Sequence, residues 1–138
     1  MKLRKITLII IHCSAVRPGQ TSSAEQIDRW HRQRGFQHGI GYHYVVRRDG
    51  TIECGRPEDM VGAHCKGHNA HSIGICYEGG LDERGLPADT RTPQQKATLR
   101  ALLMSLRESF PHALITGHST FARKACPCFD AAKEYRDL

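Results

Sequence analysis

Ile6-Thr7-Leu8-Ile9-Ile10-Ile11 is a nearly continuous apolar run that leads directly into His12-Cys13-Ser14. A run of this kind predicts a β-strand that is buried on both faces of a sheet. The basic residues before it imitate a secretory signal. However, Thr7 interrupts the apolar stretch, which is shorter than the usual roughly 7–15 residues. We therefore interpret the segment as the first strand of a protein made in the cytoplasm without a signal peptide.

Turn and capping signals downstream of this strand outline the remaining elements. Asp49-Gly50 predicts a tight hairpin turn, and Thr92-Pro93 begins a helix with a capping-box pattern. Ser22 or Ser23 can cap an earlier helix, in which we expect Trp30 to be a core anchor. The expected helices cover residues 24–34, 93–110 and 130–136, and the expected strands cover 6–11, 42–47, 51–53, 72–77 and 114–116.

This order of elements predicts an α/β (α+β mixed) fold with a single central mixed β-sheet flanked by helices. The chain has 138 residues, which suits one domain spanning positions 1–138. No segment approaches the roughly 18 apolar residues of a membrane span. The formal net charge of +6 favours a polyanionic partner, such as nucleic acid or a bacterial envelope, without choosing between them.

Six cysteines are many for this length, and without a signal peptide free thiols are the default expectation. Cys126 differs from the others because of its neighbours in sequence. His118 precedes it within Gly117–Pro127, and both His12 and His118 follow predicted strands. Two imidazoles and one thiolate are good zinc ligands, and catalytic zinc typically keeps three protein ligands. We therefore interpret His12, His118 and Cys126 as a candidate catalytic zinc site.

Two further residues could act beside such a metal. Lys124 lies two positions before Cys126 and could be a fixed cation for a developing oxyanion. Tyr42 follows Gly39-Ile40-Gly41, where the glycines allow a sharp turn, and its hydroxyl could hydrogen-bond a water or an intermediate at the metal. Taken alone, such a lysine is usually a solvated surface residue, and a tyrosine at this position is more often a core or rim residue.

Six motifs occur together and in order, and their combination is far more specific than any one of them. They are His12-Cys13-Ser14-Ala15, Gly41-Tyr42-His43, Arg48-Asp49-Gly50-Thr51, Val61-Gly62-Ala63-His64, Asn69 with Ser72-Ile73-Gly74-Ile75, and Lys124-Ala125-Cys126-Pro127. From Ile6 to about Asp130 the chain resembles the zinc N-acetylmuramoyl-L-alanine amidases, which include small phage endolysins and the peptidoglycan-recognition proteins. Cys128, where a Ser or Gly would be usual, and Cys65 depart from the pattern.

The resemblance implies one Zn²⁺ per chain, held by His12, His118 and Cys126, with Tyr42 and Lys124 as catalytic residues. It places His64 and Asn69 along the groove that takes the stem peptide. The implied reaction is hydrolysis of the amide between N-acetylmuramic acid and L-alanine in peptidoglycan. We expect a monomer that acts on the cell wall or periplasm after release or export. Arg29, Arg32 and Arg34, with Lys2, Arg4 and Lys5, are candidates for attraction to the anionic envelope.

Three other functions compete with this hypothesis. A non-catalytic peptidoglycan-binding module of the same fold would typically have lost a zinc ligand, whereas all three are present. A cysteine hydrolase would use Cys126 as nucleophile and His118 as base. A nucleic-acid-binding zinc protein is not expected, because the sequence has neither a closed four-ligand site nor a recognition-helix motif.

Overall fold

A computed structural model describes residues 4–138; the expectation for Lys2 lies outside these residues. Five strands form one sheet in the order β3-β2-β4-β1-β5. All neighbouring pairs are parallel except the β2–β3 hairpin, so the predicted mixed sheet is confirmed. The strands are β1 (Leu8–Cys13), β2 (Tyr44–Val46), β3 (Ile52–Cys54), β4 (Ser72–Tyr77) and β5 (Leu114–Gly117).

Three α-helices flank the sheet, and side chains at their N-termini fix where they begin. Ser23 and Thr92 each form the reciprocal capping box, which satisfies backbone N–H groups that a helix start leaves unpaired. Asp130 is the N-cap residue of the last helix, and its side chain accepts from the Lys133 N–H. The helices are α1 (Ala24–Gln33), α2 (Pro93–Ser109) and α3 (Ala131–Glu134), and short 3₁₀ turns cover Asn69–His71 and His118–Thr120.

Strand β1 lies inside the sheet between β4 and β5. Its pairing with β4 runs to the end of both strands, with His12 opposite Cys76 and Cys13 opposite Tyr77. The strand therefore begins and ends two residues later than the apolar run predicts. The expectation that His12 follows the strand is wrong: His12 belongs to it, because its backbone continues the parallel ladder.

Alternate residues of β1 and β4 face two different layers. Ile9, Ile11 and Cys13 point to the layer that holds the apolar face of α2, where Leu99 and Leu103 are fully buried. His12 points to the opposite layer, under α1, where Ile27 packs against Val45 and Cys76. Trp30 is 38% exposed and is not the expected core anchor, because His31 occupies the buried position of α1.

None of the helices within residues 4–138 is both long enough and apolar enough to cross a lipid bilayer.

The C-terminal segment is attached to the rest of the fold by Arg91, whose side chain is only 1% exposed. Its guanidinium donates to both carboxylate oxygens of Asp89 at 2.9 Å and to both of Glu134 at 2.6 and 2.9 Å. It also donates to the Tyr135 hydroxyl at 3.1 Å and lies 3.4 Å from the centre of the Phe129 ring. One buried cation thus holds α3 and the loop before it.

Replacing this cation with an apolar side chain of similar length tests its contribution to stability. We expect Arg91→Met to lower the free energy of unfolding by about 2–3 kcal/mol, because it leaves carboxylates of a buried network unpaired, although both are partly exposed to water. Arg29→Met is the matched control, since Arg29 pairs with Glu25 on the surface, and it should cost less than about 0.5 kcal/mol. Denaturant unfolding measures both variants. Equal losses would contradict the assigned role.

Candidate active site

Three potential metal ligands meet at the carboxyl-terminal edge of the sheet. His12 comes from β1, and His118 follows the neighbouring parallel strand β5 directly, so both reach the same edge. Cys126 approaches from the loop after the 3₁₀ turn. The ligand atoms of these three residues all lie within 4.8 Å of one another. The structure therefore brings together the predicted trio.

The chemistry of these side chains suits a zinc ion. Burial lowers the pKa of His12 well below its usual value, and His64, His118 and Lys124 lower it further. Burial, followed by Lys124, also lowers the pKa of His118. Both rings are therefore neutral at neutral pH, as metal ligands must be. The backbone N–H of Cys13 donates to Cys126 Sγ at 3.1 Å, an outer contact of the kind that orients a metal-binding thiolate.

The position of Cys126 depends on contacts that the sequence did not reveal. The buried Tyr77 hydroxyl donates to the carbonyl oxygen of Pro127 at 2.6 Å, and the Ser119 N–H donates to the carbonyl oxygen of Cys126 at 2.8 Å. Gly117 allows Pro127 to lie close, since an added Cβ would be 2.6 Å from Pro127 Cδ. Strand β4 and the 3₁₀ turn thus fix the loop that carries the sulfur.

His64 lies directly beside His12. Its Nδ1 is 2.8 Å from Nε2 of His12, and its Nε2 is 3.1 Å from the Ser72 hydroxyl. Burial lowers the pKa of His64 to about 3, so this ring is also neutral. Gly74 provides the space for it, because an added Cβ would lie 2.6 Å from the His64 ring. These contacts fix the orientation of the His12 ring.

Asn69 shapes the loop that carries His64. Its Oδ1 accepts from the backbone N–H groups of His64 and Cys65, at 2.8 and 2.9 Å. Asn69 lines the same cavity as the three potential ligands. Its amide oxygen is thus engaged with the protein's own backbone, and its amide nitrogen is the group that remains for a ligand.

Tyr42 lies beside His12 in the same cluster of rings, with the two ring centres 5.1 Å apart. Burial raises the pKa of Tyr42 well above its usual value, so the phenol stays protonated and is a hydrogen-bond donor rather than a base. The backbone before it is held by His31, whose Nδ1 accepts from the Gly41 N–H at 2.9 Å. The only sequence signal for this role was a histidine on the buried stripe of α1.

His43 has a structural role in the same layer. Its Nδ1 accepts from the Gly74 N–H at 3.0 Å, which leaves Nε2–H to donate to the carbonyl oxygen of Met60 at 2.8 Å. The ring thus connects β4 to the loop before His64. Its place in the motif Gly41-Tyr42-His43 gave no indication of this function.

These residues surround an open cavity of about 740 Å³. Three cations border it, Arg34 near the end of α1, Lys66, and Lys124, and all three are exposed. Among the described residues that line the cavity, none is an aspartate or a glutamate. The site is therefore suited to an anionic ligand, since like-signed cations around a concave surface attract the opposite charge.

Not all of the basic residues expected to attract an anionic envelope are available for it. The guanidinium of Arg4 donates to carbonyl oxygens of the chain, including Glu58 at 2.7 Å and Ser72 at 3.1 Å, so it supports the fold. Arg29 and Arg32 are exposed but pair with acidic residues one turn earlier in α1. Of the α1 candidates, Arg34 is the one that borders the cavity.

The chain matches known proteins over nearly its whole length. Residues 2–129 match the family model described as N-acetylmuramoyl-L-alanine amidase. An endolysin of Enterobacteria phage K11 is 42% identical over 129 residues, covering 94% of this chain and 85% of the relative. The solved amidase LysC from Clostridium intestinale URNW has a TM-score of 0.81 at 34% identity, covering 96% of this chain and 83% of that one.

A more distant structural relative carries a ligand. The complex of peptidoglycan recognition proteins LCa and LCx bound to tracheal cytotoxin has a TM-score of 0.78 at 26% identity, covering 96% of this chain and 82% of that one.

The fit between Gly74 and His64 can be tested by a double-mutant cycle. Gly74→Ala should destabilise the protein by about 1–3 kcal/mol, because a methyl group in a filled space displaces its neighbours. In a His64→Ala background the same change should cost at least about 1 kcal/mol less, since the group it meets is gone. Denaturant unfolding of the four proteins gives the coupling. Additive effects would mean that the His64 ring is not what requires glycine at this position.

Proposed function

Because the chain belongs to the N-acetylmuramoyl-L-alanine amidase family, we propose that it hydrolyses the amide between the lactyl group of N-acetylmuramic acid and L-alanine in peptidoglycan. The observation that carries this proposal is the convergence of His12, His118 and Cys126 at a cavity large enough for a peptide. The similarity of this chain to phage endolysins supports cell-wall lysis as the biological outcome.

His12, His118 and Cys126 would hold one zinc ion per chain. Zinc bound there supplies a water of lowered pKa and polarises the scissile carbonyl. The three protein ligands form the set typical of catalytic rather than structural sites. The neutral imidazoles and the thiol held by the Cys13 N–H fit this ion without rearrangement of the sheet.

Lys124 and Tyr42 act on the substrate from two sides of the cavity. Lys124 places a fixed positive charge where the carbonyl oxygen becomes an oxyanion, and such a donor contributes most when it is already in position. Tyr42, protonated and oriented through His31 and Gly41, donates a hydrogen bond to the same oxyanion.

The rest of the cavity receives the stem peptide. Arg34 at the end of α1 and Lys66 both line this space, and their charges complement an acidic peptide. His64 and Asn69 form the wall nearest the metal ligands, with the Asn69 amide N–H group available to a substrate carbonyl. We expect the enzyme to act as a monomer on the cell wall after release or export.

Replacing the sulfur ligand should abolish zinc binding and activity together. We expect Cys126→Ala to retain far less than one zinc per chain after dialysis and to release no new L-alanine amino termini from purified peptidoglycan. Cys54→Ala, which alters an exposed cysteine, is the control and should keep both properties. Metal analysis and product-end analysis are made on zinc-loaded, chelated and zinc-restored protein. Full activity in wild-type protein verified to be free of zinc would instead favour Cys126 as a nucleophile.

Removing the cation should affect turnover without affecting the metal. We expect Lys124→Ala to bind zinc normally and to lose about 10²–10³ in kcat, the usual cost of one oxyanion donor. Arg123→Ala is the matched control, because Arg123 is an exposed neighbour that does not line the cavity. The rates come from release of L-alanine amino termini. A Lys124→Ala enzyme with near-normal kcat would show that this residue is not catalytic.

A further inference from the structure

We propose that Cys13 and Cys128 form a disulfide when the protein meets a disulfide donor, and that this bond locks together the two segments that carry His12 and Cys126. The two sulfurs are 4.0 Å apart. This modification site goes beyond the proposed amide hydrolysis; only its effect on metal retention, not its formation, rests on that function.

The backbone brings these cysteines together from distant parts of the chain. Cys13 is the last residue of β1 and points into the α2 layer, away from His12. Cys128 lies in the loop after Pro127, with a left-handed φ of 71° that a non-glycine residue seldom adopts. All six cysteines are free thiols in this structure. A disulfide requires the sulfurs to approach by about 2 Å, which is within reach of side-chain rotation and a small loop shift.

The other cysteines are less suited to pairing with Cys13. Cys126 is the candidate metal ligand, and its sulfur is engaged with the zinc in the metal-loaded protein. Cys76 belongs to the opposite layer, packed with Ile27 and Val45. Cys54 lies in the edge strand β3, away from β1. Cys128, whose sulfur contacts that of Cys13 at 4.0 Å, is the partner for Cys13 in the metal-loaded protein.

The exposure of the two sulfurs decides which of them reacts first with the disulfide donor. Cys13 is only 7% exposed, whereas Cys128 is partly exposed and is the sulfur that a donor can reach. The Cys128 thiolate attacks a low-molecular-weight disulfide, forming a mixed disulfide and releasing one thiol. Cys13 then attacks the Cys128 sulfur and releases the second thiol. Two protein thiols are oxidised, one donor disulfide is reduced to two thiols, and the protons pass to the released thiolates.

The bond would connect Cys13, which follows the candidate ligand His12, to Cys128, which lies two positions after the candidate ligand Cys126. It also closes a loop of roughly a hundred residues, for which a cross-link restricts the unfolded chain strongly. The reduced protein, as synthesised in a reducing compartment, and the oxidised protein outside it would therefore share one fold. They would differ in thermal stability and in how fast they release zinc.

The test uses zinc-loaded protein carrying Cys54→Ser, so that the exposed thiol does not react, with oxidised glutathione as the donor. We expect loss of two free thiols and of two hydrogen atoms from the intact mass, and a Tm higher by several degrees. Zinc transfer to a chelator should slow severalfold, and dithiothreitol should reverse each change. Adding Cys128→Ser or Cys13→Ser should abolish these changes, and Cys65→Ser, which alters another buried cysteine, should leave the loss of two thiols and of two hydrogen atoms intact.

Two results would overturn the proposal: no loss of thiols in the zinc-loaded protein, or an intramolecular disulfide that still forms in the Cys128→Ser variant. Release of L-alanine amino termini is measured separately. A protein that forms the disulfide but cleaves nothing refutes the amidase mechanism alone, and one that cleaves without forming the disulfide refutes this inference alone.

Discussion

The parallel pairing of β1 with both β4 and β5 is the constraint on which the site depends. It buries β1 on both faces and ends the strand at His12 and Cys13, beside the end of β5 and the start of the turn at His118. The ladder fixes the backbone of His12, and the contact with His64 Nδ1 at 2.8 Å orients its ring. The ligand geometry is thus set by backbone pairing, the most rigid element of the fold, and loops contribute the remaining groups.

Polar groups can be buried beside this strand because each of them has a partner. On the α1 side His64 contacts His12 and Ser72, His31 accepts from Gly41, and His43 accepts from Gly74. In the part of the chain that the structure describes, no buried side-chain nitrogen or oxygen lacks a hydrogen-bond partner. A fully paired polar layer is rigid, whereas an unpaired member would cost free energy. The layer that forms the cavity is therefore also a layer that stabilises the fold.

Sequence reasoning succeeded where a local pattern is sufficient and failed where distant segments meet. The capping box at Thr92 and the Asp49-Gly50 hairpin are local, and the structure confirms them. The gathering of the three potential ligands was expected through family motifs. The end of β1 was misplaced because its ladder depends on β4. Trp30 was wrongly expected in the core, because burial on α1 depends on the loop before Tyr42, which His31 contacts. The Tyr77–Pro127 hydrogen bond joins residues 50 positions apart, and no local pattern predicts such a contact.

The site also links the two layers of the molecule. His12 and Tyr42 belong to the α1 layer, whereas the loop of Cys126 is held by Tyr77 and, further along, by the Arg91 network in the α2 layer. A metal bound by both sets of residues favours the folded state, and its stabilisation grows with the logarithm of free metal concentration. The C-terminal segment in turn affects metal binding. Loosening it lowers the fraction of molecules with all three ligands in place. Stability of that segment and affinity for a metal would therefore be coupled quantities if His12, His118 and Cys126 bind one.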